Sequence, residues 1–286
     1  MTIDILSDLH FDYFFKRFNN SKKDIQKIFD EYFLKSDGGV GDVLVVAGDI
    51  GHYNNQNIII LKMIKKIYGY RHIICVLGNH DYFLQGKQEQ ANYGKNSFIR
   101  AQEMRELINT EEGMHCLNGT VVEIDGVKFG GADSSYSSAY LKHYHPLSDA
   151  FKANNAMWKQ TMPDANMIFG IKNYDDLYSI ELPKIEAVYR ECDVMITHVN
   201  PSYLHEHLSP LFYNQHGNMF FSFDGHKYLK EGTMKYWIFG HTHEKTEYEF
   251  EGVQCICNPL GSPNERYSGD AAAVRRIYIK GSKAEN

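Results

Sequence analysis

Short apolar runs, each closing on a polar motif, constrain this chain more than any other feature. Residues 2–6 read as a strand, and Val43 to Ala47 and Ile73 to Leu77 are continuous apolar runs. Runs of that length without alternation predict strands buried on both faces, as parallel sheets require. Between them, residues 21–35 carry Ile25, Ile28, Phe29, Tyr32 and Phe33 at helical spacing. Asn57 to Tyr68 presents Ile60, Leu61, Ile64 and Ile67 as one stripe. The order β-α-β-α-β predicts a parallel sheet with crossover helices.

Each of these strands ends the same way. Asp8-Leu9-His10 follows the first, Gly48-Asp49 the second and Gly78-Asn79-His80-Asp81 the third. Open α/β sheets bind ligands outside the carboxyl ends of their strands, so these loops are expected to converge on one crevice. Gly48 and Gly78 are expected to let the chain turn sharply there. Further on, Asp193 to Thr197 reads as a strand ending at His198. Lys235 to Phe239 is another, ending at Gly240-His241-Thr242-His243.

The remaining elements read more plainly. Ser97 to Leu107 is a helix with Phe98, Ala101, Met104 and Arg105. Val121 to Gly130 is a hairpin turning at Asp125-Gly126, and Tyr248 to Cys257 a second, turning at Glu251-Gly252. Arg276 to Ile279 adds a last strand, and Gly281 to Asn286 reads as a frayed tail. The stretch from about 134 to 184 fits the scheme least well; it is expected to be a cap-like insertion within a single domain spanning 1–286.

Composition narrows the class. Hydrophobic residues make up 43% and charged residues 23%, ordinary for a globular protein, and the net charge of -6 argues against a chain whose main task is holding a polyanion. Five cysteines without Cys-x-x-Cys do not make a disulfide framework; Cys255 and Cys257, two apart in a strand, share a face and read as core or surface thiols. No apolar run reaches the roughly 18 residues of a membrane helix, and the N-terminus enters a strand directly, so a cytoplasmic protein without membrane contact is expected. Oligomeric state is not legible.

Asp, His and Asn side chains in these numbers suit two adjacent divalent metals. A carboxylate can bridge both, and Asp49 is the acidic residue that directly follows a buried strand. Asp8 and His10 would serve one metal, Asn79 offers a neutral carbonyl oxygen, and His241 and His243 can aim both rings into one cavity. An oxygen and nitrogen set with this many imidazoles suits Mn, Fe, Zn or Co over Mg or Ca. Two metals roughly 3.5–4 Å apart suit phosphate ester hydrolysis, with a bridging hydroxide as nucleophile. His80 is expected to protonate the leaving group, with Asp81 holding its imidazole in the donating form. Asn79, His80 and His52 are the expected substrate contacts.

Asp-x-His, Gly-Asp, Gly-Asn-His-Asp, His and Gly-His-x-His in this order resemble the calcineurin-like metallophosphoesterase superfamily. The resemblance runs from Asp8 to His243. It implies Asp8, His10, Asp49 and His243 on one metal, and Asp49, Asn79, His198 and His241 on the other, with His80 as acid. It also implies an α/β fold, a four-layer α/β/β/α sandwich of two mixed sheets flanked by helices. One departure stands out: Thr197-His198-Val199-Asn200-Pro201 lacks the second histidine that many relatives carry after the ligand.

The motifs hold five of fourteen histidines. His143/His145 and His205/His207 read as surface or packing residues, and Tyr82 as core. The expected function is a phosphodiesterase or phosphatase acting on a small organic phosphate or nucleotide. A DNA or RNA nuclease is the alternative, disfavoured by the lack of Arg/Lys clusters. An inert protein-binding scaffold would have lost ligands, and none is missing.

Overall fold

A computed structural model describes residues 1–15, 23, 26–27, 39–146, 150–210, 215–265 and 274–281. Among them the strands are β1 (Thr2–Leu6), β2 (Val43–Ala47), β3 (His72–Val76), β4 (Met114–Cys116), β5 (Thr120–Ile124), β6 (Val127–Gly131), β7 (Val194–Ile196), β8 (Tyr236–Phe239), β9 (Thr246–Phe250), β10 (Val253–Cys257) and β11 (Arg275–Tyr278). The helix expected over 21–35 lies, but for residues 23, 26 and 27, outside the described residues.

Two mixed sheets form. The first has the order β11-β1-β2-β3-β4, parallel except for β11. The second has the order β5-β6-β7-β8-β10-β9, with parallel pairs at its centre and an antiparallel hairpin at each edge. Those hairpins turn where expected, because Asp125-Gly126 and Glu251-Gly252 both take positive φ at both positions, the geometry that matches strand twist. β4 has no counterpart in the sequence patterning; three residues carry too little periodicity to register.

Side-chain alternation sorts the strands into layers. Ile3, Ile5, Val43, Val45, Ile74 and Val76 of the first sheet meet Val127, Phe129, Val194, Ile196, Ile238 and Ile256 of the second in the sandwich interior. Leu44, Val46, Ile73 and Cys75 point the other way, onto Ile60, Leu61 and Ile64 of the Asn54–Tyr68 helix and Ala101, Met104 and Ile108 of the Ser97–Asn109 helix. Met195, Trp237, Phe239, Cys255 and Cys257 meet the second helical layer. The result is α/β/β/α. All five cysteines are buried and free, and burial raises the Cys255 thiol to about 12.

Residues from 134 to 184 contribute to that second helical layer, where Tyr136, Tyr140, Trp158 and Tyr174 pack over the sheet. The same stretch also returns to the loops after β3. Leu84 N–H donates to Met167 O at 2.9 Å, and Ser97 N–H to Phe169 O at 3.0 Å. Among the described residues, no helix is long and apolar enough to cross a membrane.

Candidate metal centre

The motif residues all lie just past carboxyl strand ends: Asp8 and His10 after β1, Asp49 after β2, Asn79 after β3, His198 after β7, His241 and His243 after β8. Five of them adopt left-handed backbone, with φ of 51° at Asp8, 42° at His10, 52° at Asp49, 70° at His241 and 51° at His243. Such φ values are uncommon outside glycine and store of order 1–3 kcal/mol each. Cross-loop bonds hold them. Asp8 N–H donates to Gly48 O at 3.0 Å, His10 N–H to Asp49 O at 2.9 Å, and His241 N–H to Asp8 Oδ1 at 2.9 Å.

The loops bring together two groups of donors. Asp8, His10, Asp49 and His243 place one ligand atom each within 4.8 Å of one another, as do Asp49, His198 and His241, so Asp49 belongs to both. In the first group, Asp49 Oδ2 is 3.7 Å from His10 Nε2, and Asp8 Oδ1 is 3.7 Å from His243 Nε2. In the second, Asp49 Oδ1 is 3.5 Å from His198 Nε2. Asn79 Oδ1 joins it, 3.1 Å from both His198 Nε2 and His241 Nδ1.

Outer contacts fix how the rings present themselves. His198 Nδ1 lies 2.9 Å from Ala47 O, His241 Nε2 lies 2.8 Å from Phe220 O, and His243 Nδ1 lies 2.9 Å from Glu265 Oε1. All three partners are acceptors, so these nitrogens carry the protons and the opposite nitrogens face inward, the arrangement that outer partners impose on metal-binding histidines.

Titration follows the same geometry. Burial opposes charge on His198, but Asp49 and Asp8 outweigh it and raise its pKa to about 10. Burial likewise opposes His243, and Glu265 and Asp8 raise it to about 9. Burial holds His10 and His241 near 3. Burial also works against the Asp49 carboxylate, yet His198, His80 and His10 keep it well below the usual range. Without a cation, protons on His198 and His243 therefore take its place. His241 has none to offer: its bare Nδ1 faces the Asn79 oxygen, acceptor against acceptor, and a shared cation reconciles them. The donor set fits a metal pair.

Three expected roles need correction. Asp81 is not joined to the His80 ring. Its carboxylate accepts N–H bonds from Gly78 at 2.8 Å and from Ile50 and Gly51 at 3.2–3.4 Å, because the third residue of the short Asn79–Tyr82 helix reaches back to cap its start. It ties the β2 and β3 loops together. Burial and Asp49 raise its pKa to about 7. His52 belongs to neither donor group. Its Nε2 pairs with Glu89 at 3.1 Å, and it lines a separate cleft of about 580 Å³ with Gln85, Glu89 and Arg100. Gly78, too, acts through space rather than by turning: it has φ of -104°, and its bare Cα lets Asp49 and His198 approach.

The bland readings stand. Tyr82 is buried and donates to Asp133 at 2.6 Å. His205 stacks on Tyr144 and His207 on Tyr248, both at 3.8 Å. Glu265 and Asp164 escaped sequence reasoning, since neither sits in a motif. Asp164 accepts from Asn79 Nδ2 at 2.9 Å and from Tyr136 at 2.8 Å.

Residues 1–245 match the calcineurin-like phosphoesterase family, and the chain belongs to it. Its fold and its two adjoining donor groups are those of a metal-dependent hydrolase. The uncharacterized protein L509 of Acanthamoeba polyphaga mimivirus is 25% identical over 278 residues, covering 91% of each chain. The fold is similar to the phosphopantetheinyl hydrolase of Mycobacterium tuberculosis, with a TM-score of 0.64 and 17% identity over 100% of this chain and 98% of that one. A dimetal phosphatase from Danio rerio aligns at a TM-score of 0.46 and 12% identity, over 91% of this chain and 88% of that one.

Proposed function

We propose that this chain hydrolyses phosphate esters of small organic molecules or nucleotides, as a phosphodiesterase or phosphatase. The observation that carries the reading is the pair of donor groups sharing Asp49, with the Asn79 oxygen set against a bare His241 nitrogen. Asp8, His10, Asp49 and His243 would hold one divalent transition metal, and Asp49, Asn79, His198 and His241 the other, from among Mn, Fe, Zn and Co. When bound, such a pair neutralises phosphoryl oxygens and lowers the pKa of water.

The chain's own groups do the rest. His80 N–H donates to Asp49 Oδ1 at 2.9 Å, and Arg100 Nη1 donates to His80 O at 3.1 Å, so its backbone is held on both sides. Its ring packs between His10, at 4.7 Å, and Phe83, at 4.4 Å, and is half-buried. There it can give a proton to the departing alkoxide, positioned by packing and not by Asp81. The loops beside the site carry Asp12 and Glu265, and such negative charge favours a compact ester over a nucleic acid strand. The 134–184 segment supports the site from behind, through Asp164 on Asn79 Nδ2. Five free thiols suit a reducing compartment, and we place the enzyme in the cytoplasm.

Elemental analysis after metal loading, with hydrolysis of bis- and mono-p-nitrophenyl phosphate and a nucleotide panel, tests this. Two metals per chain and metal-dependent turnover are expected. A stoichiometry near zero, or no turnover on any ester, would sink the reading and favour an inert scaffold.

A further inference from the structure

Resting on that reading, we infer that Asp164 is the positioning residue that sets which end of the Asn79 carboxamide faces the metals. A carboxamide has a donor end and an acceptor end of nearly the same shape, so its partners decide its orientation. Ring nitrogens on the inward side can meet either end, so the outer partner decides. Flipped, the Asn79 NH2 group would face the ring nitrogens of His198 and His241 and would offer no lone pair to a metal. In the observed orientation the oxygen points inward, 3.1 Å from His198 Nε2 and His241 Nδ1. Asp164 Oδ1, 2.9 Å from Asn79 Nδ2, holds it there.

The direction of this contact is set by the residues behind Asp164. Trp158 Nε1 is a donor only, and it donates to the Tyr136 hydroxyl at 2.6 Å. The Tyr136 O–H therefore donates to Asp164 Oδ2, at 2.8 Å. Trp158, Tyr136 and Asp164 are all buried, so water does not compete. The second oxygen of Asp164 is left as an acceptor, and only the NH2 end of Asn79 satisfies it. The stretch from 134 to 184 thus reaches the metal centre through the Asn79 amide, beside the Tyr136 ring that stacks on His241 at 6.0 Å.

The test is metal affinity, measured by calorimetric titration with Mn²⁺ and read separately for the two sites. Asp164→Leu should weaken the Asn79 site by about 10–100-fold, the usual effect of losing an outer partner, and leave the Asp8 site within about 3-fold. Asp164→Asn, which keeps an acceptor oxygen, should recover part of the loss. The decisive variant is Asn79→Asp. Its two oxygens are equivalent, so orientation no longer matters, and adding Asp164→Leu to it should cost no affinity. Circular dichroism confirms that each variant is folded. If Asp164→Leu weakens both sites alike, or weakens the Asn79→Asp background as much as the wild type, Asp164 is a general support and the inference is wrong. If the wild type itself binds no metal, the proposed function fails instead.

Discussion

Gly78→Ala probes how tightly the site is built. Gly78 has extended backbone, φ -104° and ψ -178°, so alanine is conformationally acceptable. The new Cβ would stand 2.1 Å from Asp49 Oδ1, 2.5 Å from Asp49 N and 2.7 Å from His198 Cε1. Neither neighbour is a flexible chain end; Asp49 is pinned by its left-handed backbone and His198 by Ala47. Overpacking of this kind costs about 1–3 kcal/mol, and each kcal/mol lowers the melting temperature of a large domain by roughly 2–4 °C. The functional effect should be larger, because Asp49 must recede by about 1 Å, and a displacement of that size costs about 10²-fold in rate. Thermal melts, metal stoichiometry and turnover on bis-p-nitrophenyl phosphate should be compared with Gly86→Ala, where an added Cβ meets nothing within 4 Å. If Gly78→Ala kept two metals and full turnover, the close approach of Asp49 to Gly78 would not shape the site.

His80→Ala should leave metal content intact while slowing alkyl phosphate hydrolysis by about 10²–10⁴-fold and p-nitrophenyl esters much less; an equal loss on both would remove the acid role. Glu265→Gln should weaken metal binding at the His243 site by about 10–100-fold, since Glu265 holds His243 Nδ1 at 2.9 Å, and unchanged titrations would refute this. The metal-free protein should be most stable near pH 6.5. His198 and His243, raised to about 10 and about 9, contribute fully below the unfolded value of 6.5 and lose that contribution as pH climbs through their folded values. His10 and His241, held near 3, act in the opposite sense and reduce stability as pH falls below 6.5. Melting curves from pH 4 to 10 check both limbs, and saturating metal should flatten the upper one.

Much of this was legible in the sequence because the parallel strands are uniformly apolar and stop abruptly at polar motifs. β2 and β3 appear within a residue of their expected bounds for that reason, and the two edge hairpins were marked by Asp-Gly and Glu-Gly. The stacking of one sheet on the other was not readable from periodicity, which reports that Ile3 and Leu44 are buried but not against what; the family resemblance supplied it. Asp81 was misassigned because adjacency along the chain suggested adjacency in space, whereas a capping position turns its carboxylate back to backbone. Asp164 and Glu265 were invisible for a different reason. Each acts through one contact with a residue at least 22 positions away, and no local pattern records that.

The second donor group draws Asp49 and Asn79 from one sheet and His198 and His241 from the other. An ion bound there would work as a gauge spanning the seam of the sandwich. Its preferred bond lengths would tolerate little error, so the thickness of the layer holding Val45, Ile74, Ile196 and Ile238 would become a tuning parameter of the proposed chemistry. A methyl group lost deep in that layer, far from any ligand, would alter how well the two halves grip the same ion.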